Sequence, residues 1–289
     1  MKGEKSFDRI VLATDGSEGA QAAVLATIDL ARFSSALVRV VHIWNLELHH
    51  RHGAWDVELR GEAERLVQDT ADQLTRAGVM AEKEIFRADN KHIAASIALI
   101  ARDFGADLVV IGSRGLSDWK SLFEHSVSHD VLASVDCPVL IVRSLPVEGA
   151  LTTRRILVAI AGGADVAPAA KAAAAVASAH DSCEVKVVHV LQSIIGAQGY
   201  AYFENEEEAE AALEEAVAQL KTHGIKALSE SIRPAPVAAA LVDAAAAWNA
   251  DLIVTGSSRM GDAGSLLLGS VSHALLNRTN LPVLVAARS

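Results

Sequence analysis

The stretch Asp107-Leu-Val-Val-Ile-Gly-Ser-Arg-Gly115 decides the fold. An apolar run, Leu108 to Ile111, stops at Gly112, and a second glycine follows at Gly115. After a polar loop, Ser126-Val127-Ser128-His129 opens an apolar-periodic segment. A strand, a glycine loop and a serine-headed helix in that order suit phosphate. The strand carries the chain to a sheet edge, and glycines let the backbone approach a ligand. The helix N-terminus then offers unpaired N–H groups and a favourable dipole to an anion.

Working outward, four more short apolar runs alternate with helical patterns. Arg9 to Thr14 reads as strand one, ending in Asp15-Gly16-Ser17; Ala36 to Trp44 is strand two, Ala81 to Phe86 strand three and Pro138 to Arg143 strand five. Gly19 to Phe33 has helical spacing, and a polar, histidine-rich loop follows strand two. A long amphipathic helix then runs to about Ala77, where Gly78 stands in the position that favours a left-handed stop. Asn90 to Phe104 is helical, with Asp89 or Asn90 as its cap.

The whole pattern then recurs. Arg155-Ile-Leu-Val-Ala-Ile160 repeats Arg9-Ile-Val-Leu-Ala-Thr14 at a shift of 155 − 9 = 146, and Val185-Lys-Val-Val-His-Val190 repeats Val38-Arg-Val-Val-His-Ile43 at 185 − 38 = 147. Ala250-Asp-Leu-Ile-Val-Thr-Gly256 repeats Ala106-Asp-Leu-Val-Val-Ile-Gly112 at 250 − 106 = 144. Two copies of one domain are expected, 1–147 and 148–289, joined through the short segment Ser144 to Thr153. Alternating strands and helices imply a doubly wound α/β domain with a parallel five-stranded sheet in each copy. Right-handed crossovers give the order 3-2-1-4-5, with the ligand crevice at the carboxyl ends of strands one and four. Asp15 and Gly112 would face that crevice together.

Composition narrows the classes. A net charge of -10, from 26 Lys and Arg against 36 Asp and Glu, argues against a nucleic-acid binder. Two unpatterned cysteines, Cys137 and Cys183, fit a reducing compartment. The most apolar long run, Val237 to Trp248, is mostly alanine and carries Asp243, so no membrane span is expected. With no signal peptide ahead of strand one, a soluble cytoplasmic protein is expected.

The first copy spells Gly112-x2-Gly115, nine residues, then His125-Ser126; the second spells Gly256-x2-Arg259, nine residues, then Gly269-Ser270. Together they give Gly-x2-Gly-x9-Gly-Ser. With the Asp-Gly-Ser after strand one and the Val-Val-His-Ile end of strand two, this resembles the nucleotide-binding pattern of the universal stress protein family, twice over. The resemblance implies a tandem of Rossmann-like domains of the adenine nucleotide alpha hydrolase type, paired within the chain as a pseudo-dimer through strand five, and allows a homodimer of chains. It further implies ATP, with Mg²⁺ as an accompanying ion, and an unidentified protein partner in a stress response. Carried onto the first copy, it makes Asp15 the ribose group and Ile43 the backbone contact to adenine. Gly112, Gly115, Ser126, Val127 and Ser128 would form the phosphate cradle. Beside them His125 is a further candidate, and Arg114 either pairs with phosphate or is an exposed loop arginine. The second-copy candidates are Val190, Gly256, Arg259, Gly269, Ser270 and Val271.

The copies depart from the family's pattern. His125 stands where the third glycine belongs, either filling space or donating to phosphate. Ala161-Gly162-Gly163 replaces Asp-Gly-Ser, removing the ribose carboxylate, and Arg259 would hold phosphate or plug the pocket. ATP binding is therefore expected mainly in the first copy. The remaining chemistry-bearing residues have plainer readings. Glu47, His49, His50, His52 and Asp56 lack a recurring ligand spacing and read as solvated loop, so no metal site is assigned. His125 and His129 are four apart, a weak ligand pair, and His42 and His189 read as buried structural histidines. The acidic start Glu206-Glu207-Glu208 suits a helix dipole. A nucleotide-dependent sensor or regulator is the leading reading. A nucleotide-free scaffold with vestigial sites is the alternative. An ATP-dependent enzyme lacks a phosphate-loop lysine, an evident base and an evident Mg²⁺-binding carboxylate; Asp118 and Glu124 lie in the loop and could serve, but spacing does not single them out, and no catalytic residue is assigned.

Overall fold

The computed structural model describes residues 7–49, 53–56, 59–113, 127–143, 153–161, 166–180, 182–191, 193–196, 199–202, 206–233, 236–257 and 270–287. The chain divides into two compact units, one spanning Phe7–Leu151 and the other containing Thr152–Ser289.

The first unit runs β1 (Arg9–Ala13), α1 (Glu18–Ser34), β2 (Leu37–His49), β3 (Gly53–Asp56), α2 (Arg60–Arg76) and β4 (Met80–Asp89). A 3-10 turn (Asn90–His92), α3 (Ile93–Phe104), β5 (Leu108–Gly112), α4 (Val127–Ser134) and β6 (Val139–Val142) follow. Its parallel strands lie in the order β6-β5-β1-β2-β4. The second unit runs β7 (Arg155–Ile160), α5 (Val166–Ala177), β8 (Glu184–Val190), β9 (Ser193–Gly196), β10 (Gly199–Tyr202) and α6 (Glu206–Thr222). It continues with β11 (Ala227–Ile232), α7 (Val237–Trp248), β12 (Leu252–Thr255), α8 (Ser270–Leu276) and β13 (Val283–Val285). Its parallel order is β11-β8-β7-β12-β13. Counted along each half, both sheets read 3-2-1-4-5. Helices cover the central strands, which is why Ile10, Val11, Leu12, Leu108, Val109 and Val110 form unbroken apolar runs, all fully buried.

The helix boundaries follow local chemistry. Ser17 caps α1 by accepting from the Ala20 N–H. Gly78 (φ +82°) ends α2 in the left-handed conformation that its sequence position suggests. Asp89 accepts from the Lys91 N–H ahead of α3. Among the described residues no helix is long and apolar enough to cross a membrane.

One segment departs from the sequence reading. The histidine-rich stretch after Trp44 is not a plain loop: β2 continues to His49, and β3 returns antiparallel to it, with Leu46 opposite Asp56 and His49 opposite Gly53. The second unit has a hairpin at the same point, β9 with β10. The alternation Trp44-x-Leu46-x-Leu48 is a period-two signal that the surrounding charged residues obscure.

At the amino ends of the strands each unit is fastened by the same two devices. Asp107, just before β5, accepts from the backbone N–H of Asp8 (2.7 Å) and Arg9 (3.0 Å). Asp251, just before β12, accepts from Arg154 and Arg155 (both 2.9 Å). Burial pushes the Asp107 carboxyl above the usual carboxylate range, against the pull of those N–H groups. The second device is an aromatic ring under cations. Arg9 and Arg39 stand over Phe104, 4.5 and 4.2 Å from its centroid, and Arg39 also pairs with Glu82 and Glu84. In the second unit Lys186 lies over Trp248 and pairs with Glu230, while Arg155 donates to the Trp248 carbonyl. Each stack ties the end of a helix to strands one, two and three.

Candidate functional site at the carboxyl ends of the strands

The site candidates gather where β1 and β5 end, beside His42 and Ile43 of β2. Beyond β1 the Thr14 N–H still donates to Val41 (2.9 Å), keeping the chain in register. The next residues form a turn in which side chains satisfy the backbone. The Gly16 N–H donates to Thr14 Oγ1 (3.3 Å), the Ser17 N–H to Asp15 Oδ1 (3.0 Å) and the Ala20 N–H to Ser17 Oγ (3.2 Å). Gly16 sits at φ +74°, so the turn needs glycine for its conformation, with the Leu66 side chain of α2 packed close by. Asp15 emerges exposed from this turn, its carboxylate accessible from solvent.

His42 closes the turn from the β2 side. Its Nδ1 lies 2.7 Å from the Thr14 carbonyl in a buried bond. A carbonyl oxygen only accepts, so Nδ1 is the donor. The histidine is 7% exposed and its counterpart His189 fully buried, which agrees with the structural reading. Ile43 follows, buried, paired with Phe86 of β4.

Gly112 ends β5, and its lack of a side chain serves packing. A Cβ there would lie 2.3 Å from the carbonyl carbon and oxygen of Gly19; one on Gly19 would lie 2.5 Å from the Ser113 carbonyl oxygen. The end of β5 and the first turn of α1 therefore touch backbone to backbone. Ser113 continues the sheet by donating to Val142 (2.8 Å). Val127 opens α4 and is exposed, whereas Ser128 is buried. Arg114, Gly115, His125 and Ser126, with Asp118 and Glu124, lie outside the described residues.

Three residues at this end escape a motif-based reading. Thr14 and His42 work through backbone bonds that no spacing announces. Arg143, directly after β6, is a buried cation whose pKa burial lowers to about 10, so it remains charged at neutral pH. In the second copy its position falls to Ala287.

The second crevice is built otherwise. Ile160 and Ala161 stand where Thr14 and Asp15 stand in the first, without hydroxyl or carboxylate. Ile160, Ala161, Val190, Thr255, Gly256 and Val271 are among the walls of a cavity of about 20 Å³, room for roughly one water molecule. Ser270 opens α8. Gly162, Gly163, Arg259 and Gly269 lie outside the described residues.

Among the described residues no group of three or more His, Cys, Asp or Glu could hold a metal ion. His50 and His52 lie outside them. The thiols of Cys137 and Cys183 are both pushed up to about 12, chiefly by burial, as packed cysteines are rather than redox-active ones.

Residues 6–143 and 152–287 each match the model of the Universal stress protein family. A universal stress protein of Mycobacterium tuberculosis is 26% identical over 293 residues, covering 97% of this chain and 97% of its own. A Bacillus subtilis universal stress protein is 27% identical over 150 residues, covering 47% of this chain and 99% of its own. The crystal structure of a universal stress protein from Archaeoglobus fulgidus superposes with a TM-score of 0.75 at 23% identity, covering 99% of this chain and 97% of that one.

Proposed function

Because the chain belongs to the universal stress protein family, in tandem form, we propose that its first half binds ATP or a related adenine nucleotide. The chain would act in stress response as a nucleotide-dependent sensor or regulator rather than a fast enzyme. The observation that carries this reading is the Thr14–Ser17 turn, internally hydrogen-bonded and presenting an exposed Asp15 next to the His42–Ile43 stretch of β2. A carboxylate can accept from two ribose hydroxyls, and the backbone at Ile43 lies on the neighbouring strand for adenine. The glycine loop and the start of α4 would take the phosphates, Arg143 adding positive charge at the same end of the sheet. Mg²⁺ would enter with the phosphates, since the described residues offer it no cluster of their own.

The second half reads as nucleotide-free. No hydroxyl or carboxylate stands at Ile160 and Ala161, and Val190, Leu241 and Val271 give that crevice an apolar lining. This favours a scaffold role for that half alone.

The reading is tested by denaturing the purified protein and identifying any released nucleotide, and by measuring ATP affinity for wild type and Asp15→Ala. Loss of a charged acceptor predicts a roughly 10- to 100-fold weaker Kd. Equal affinity in the two proteins, or no nucleotide by either route, overturns the proposal. Hydrolysis at several turnovers per second would overturn the sensor part.

A further inference from the structure

We infer that His42 is a positioning residue for the nucleotide site: its ring sets the geometry of both Asp15 and the backbone at Ile43. The inference rests on the nucleotide reading above. His42 immediately precedes Ile43 on β2, and its acceptor, the Thr14 carbonyl, belongs to the residue immediately preceding Asp15. One bond of 2.7 Å thus spans the two elements that would grip ribose and adenine.

The surroundings make this bond a control point. Thr14 is buried, so water does not replace a lost donor at its carbonyl. The same residue receives the Gly16 N–H on its hydroxyl, and the chain of bonds continues through Asp15 to Ser17 and the first turn of α1. On the other side, Gly19 in that turn touches the backbone of Ser113, where the loop after β5 begins. A displacement of Thr14 would therefore spread to the ribose carboxylate and to the approach of the phosphate loop. Donation to a carbonyl also fixes the ring as the Nδ1–H form when neutral. Holding the turn ready before the ligand arrives reduces the ordering cost of binding. His189 lies at the same point of the second half, but Ala161 offers no carboxylate there for it to position.

The experiment measures ATP affinity by calorimetry for wild type, His42→Phe, His42→Asn and His42→Gln, with amide exchange at Gly16 and Ser17 followed without nucleotide. Phenylalanine keeps an aromatic ring but no donor. Asparagine places an amide N–H near the Nδ1 position, and glutamine moves it one atom further out. The expected result is a loss of about tenfold or more for His42→Phe, with faster exchange at Gly16 and Ser17, and affinity within about threefold of wild type for His42→Asn. If wild type binds and His42→Phe binds equally well, the inference falls while the nucleotide reading stands. If His42→Phe does not fold, equal affinities of the Asn and Gln variants overturn the inference. Absence of binding by wild type overturns both.

Discussion

At the amino ends of the strands the two halves carry matching fasteners. Asp107 and Asp251 each accept two backbone N–H groups, while Phe104 lies under Arg9 and Arg39 and Trp248 lies under Lys186. At the carboxyl ends the halves diverge in sequence: Thr14-Asp15-Gly16-Ser17 corresponds to Ile160-Ala161-Gly162-Gly163, and Arg143 corresponds to Ala287. In a doubly wound domain the ligand end and the opposite end of the sheet are different places. Residues that hold strands together at one end need not change when a site at the other end is lost. The second half keeps its order of strands although Ala161 and Ala287 stand where the first half has the turn carboxylate and the buried cation.

This contrast can be attacked first at the fasteners. Phe104→Ala should cost about 4 kcal/mol and Trp248→Ala about 3 kcal/mol, the smaller value because Trp248 is only partly buried. Urea unfolding with amide exchange assigned to each half would read both, and an effect confined to one half would break the comparison. Gly112→Ala comes next. Its Cβ would meet the backbone of Gly19 at 2.3 Å, and backbone yields poorly, so about 3 kcal/mol is expected. Normal stability there would mean that β5 and α1 are further apart than described.

Asp107→Ala and Asp251→Ala should each cost about 2 kcal/mol, since two strand N–H groups lose a charged acceptor in either half. Similar losses in the two halves sharpen the claim of a duplicated fastener. The smallest effect belongs to the cap ahead of α3. The Asp89 carboxyl is held below its ordinary value of 3.8, first by a hydrogen bond from His92, whereas Pro234-Ala235-Pro236 occupies that part of the second half. A depressed pKa contributes stability that is present above the unfolded value and lost as pH falls through the folded one. The stability gap between wild type and Asp89→Ala should therefore be small near neutral pH and close in acid below 3.8. A gap that widens in acid would contradict the assignment.

Much of this was legible in the sequence because strands buried on both faces leave continuous apolar runs, as at Ile10–Leu12 and Leu108–Ile111. The repeat then supplied a second reading of every element. The hairpin after β2 was hidden because Leu46 and Leu48 alternate among charged and histidine residues that resemble a loop. Gly112 was legible as a residue that must be small, but the motif suggested a ligand as the reason. Its neighbour is α1, a contact between residues 93 positions apart (112 − 19 = 93), which no local pattern encodes. Asp107 belongs to the organising stretch, yet its work lies at the far end of the sheet from any nucleotide. Nor does spacing reveal that His42 reaches the Thr14 carbonyl, or that Leu241 lines the second crevice beside Val190 and Val271.

The stoichiometry of ATP binding tests the division between the halves most directly. Calorimetric titration of the intact chain should give one site per chain, abolished or strongly weakened by Asp15→Ala and unaffected by substitutions at Val190 or Val271. Two sites per chain, or one that survives Asp15→Ala and disappears on changing the second crevice, would contradict the account.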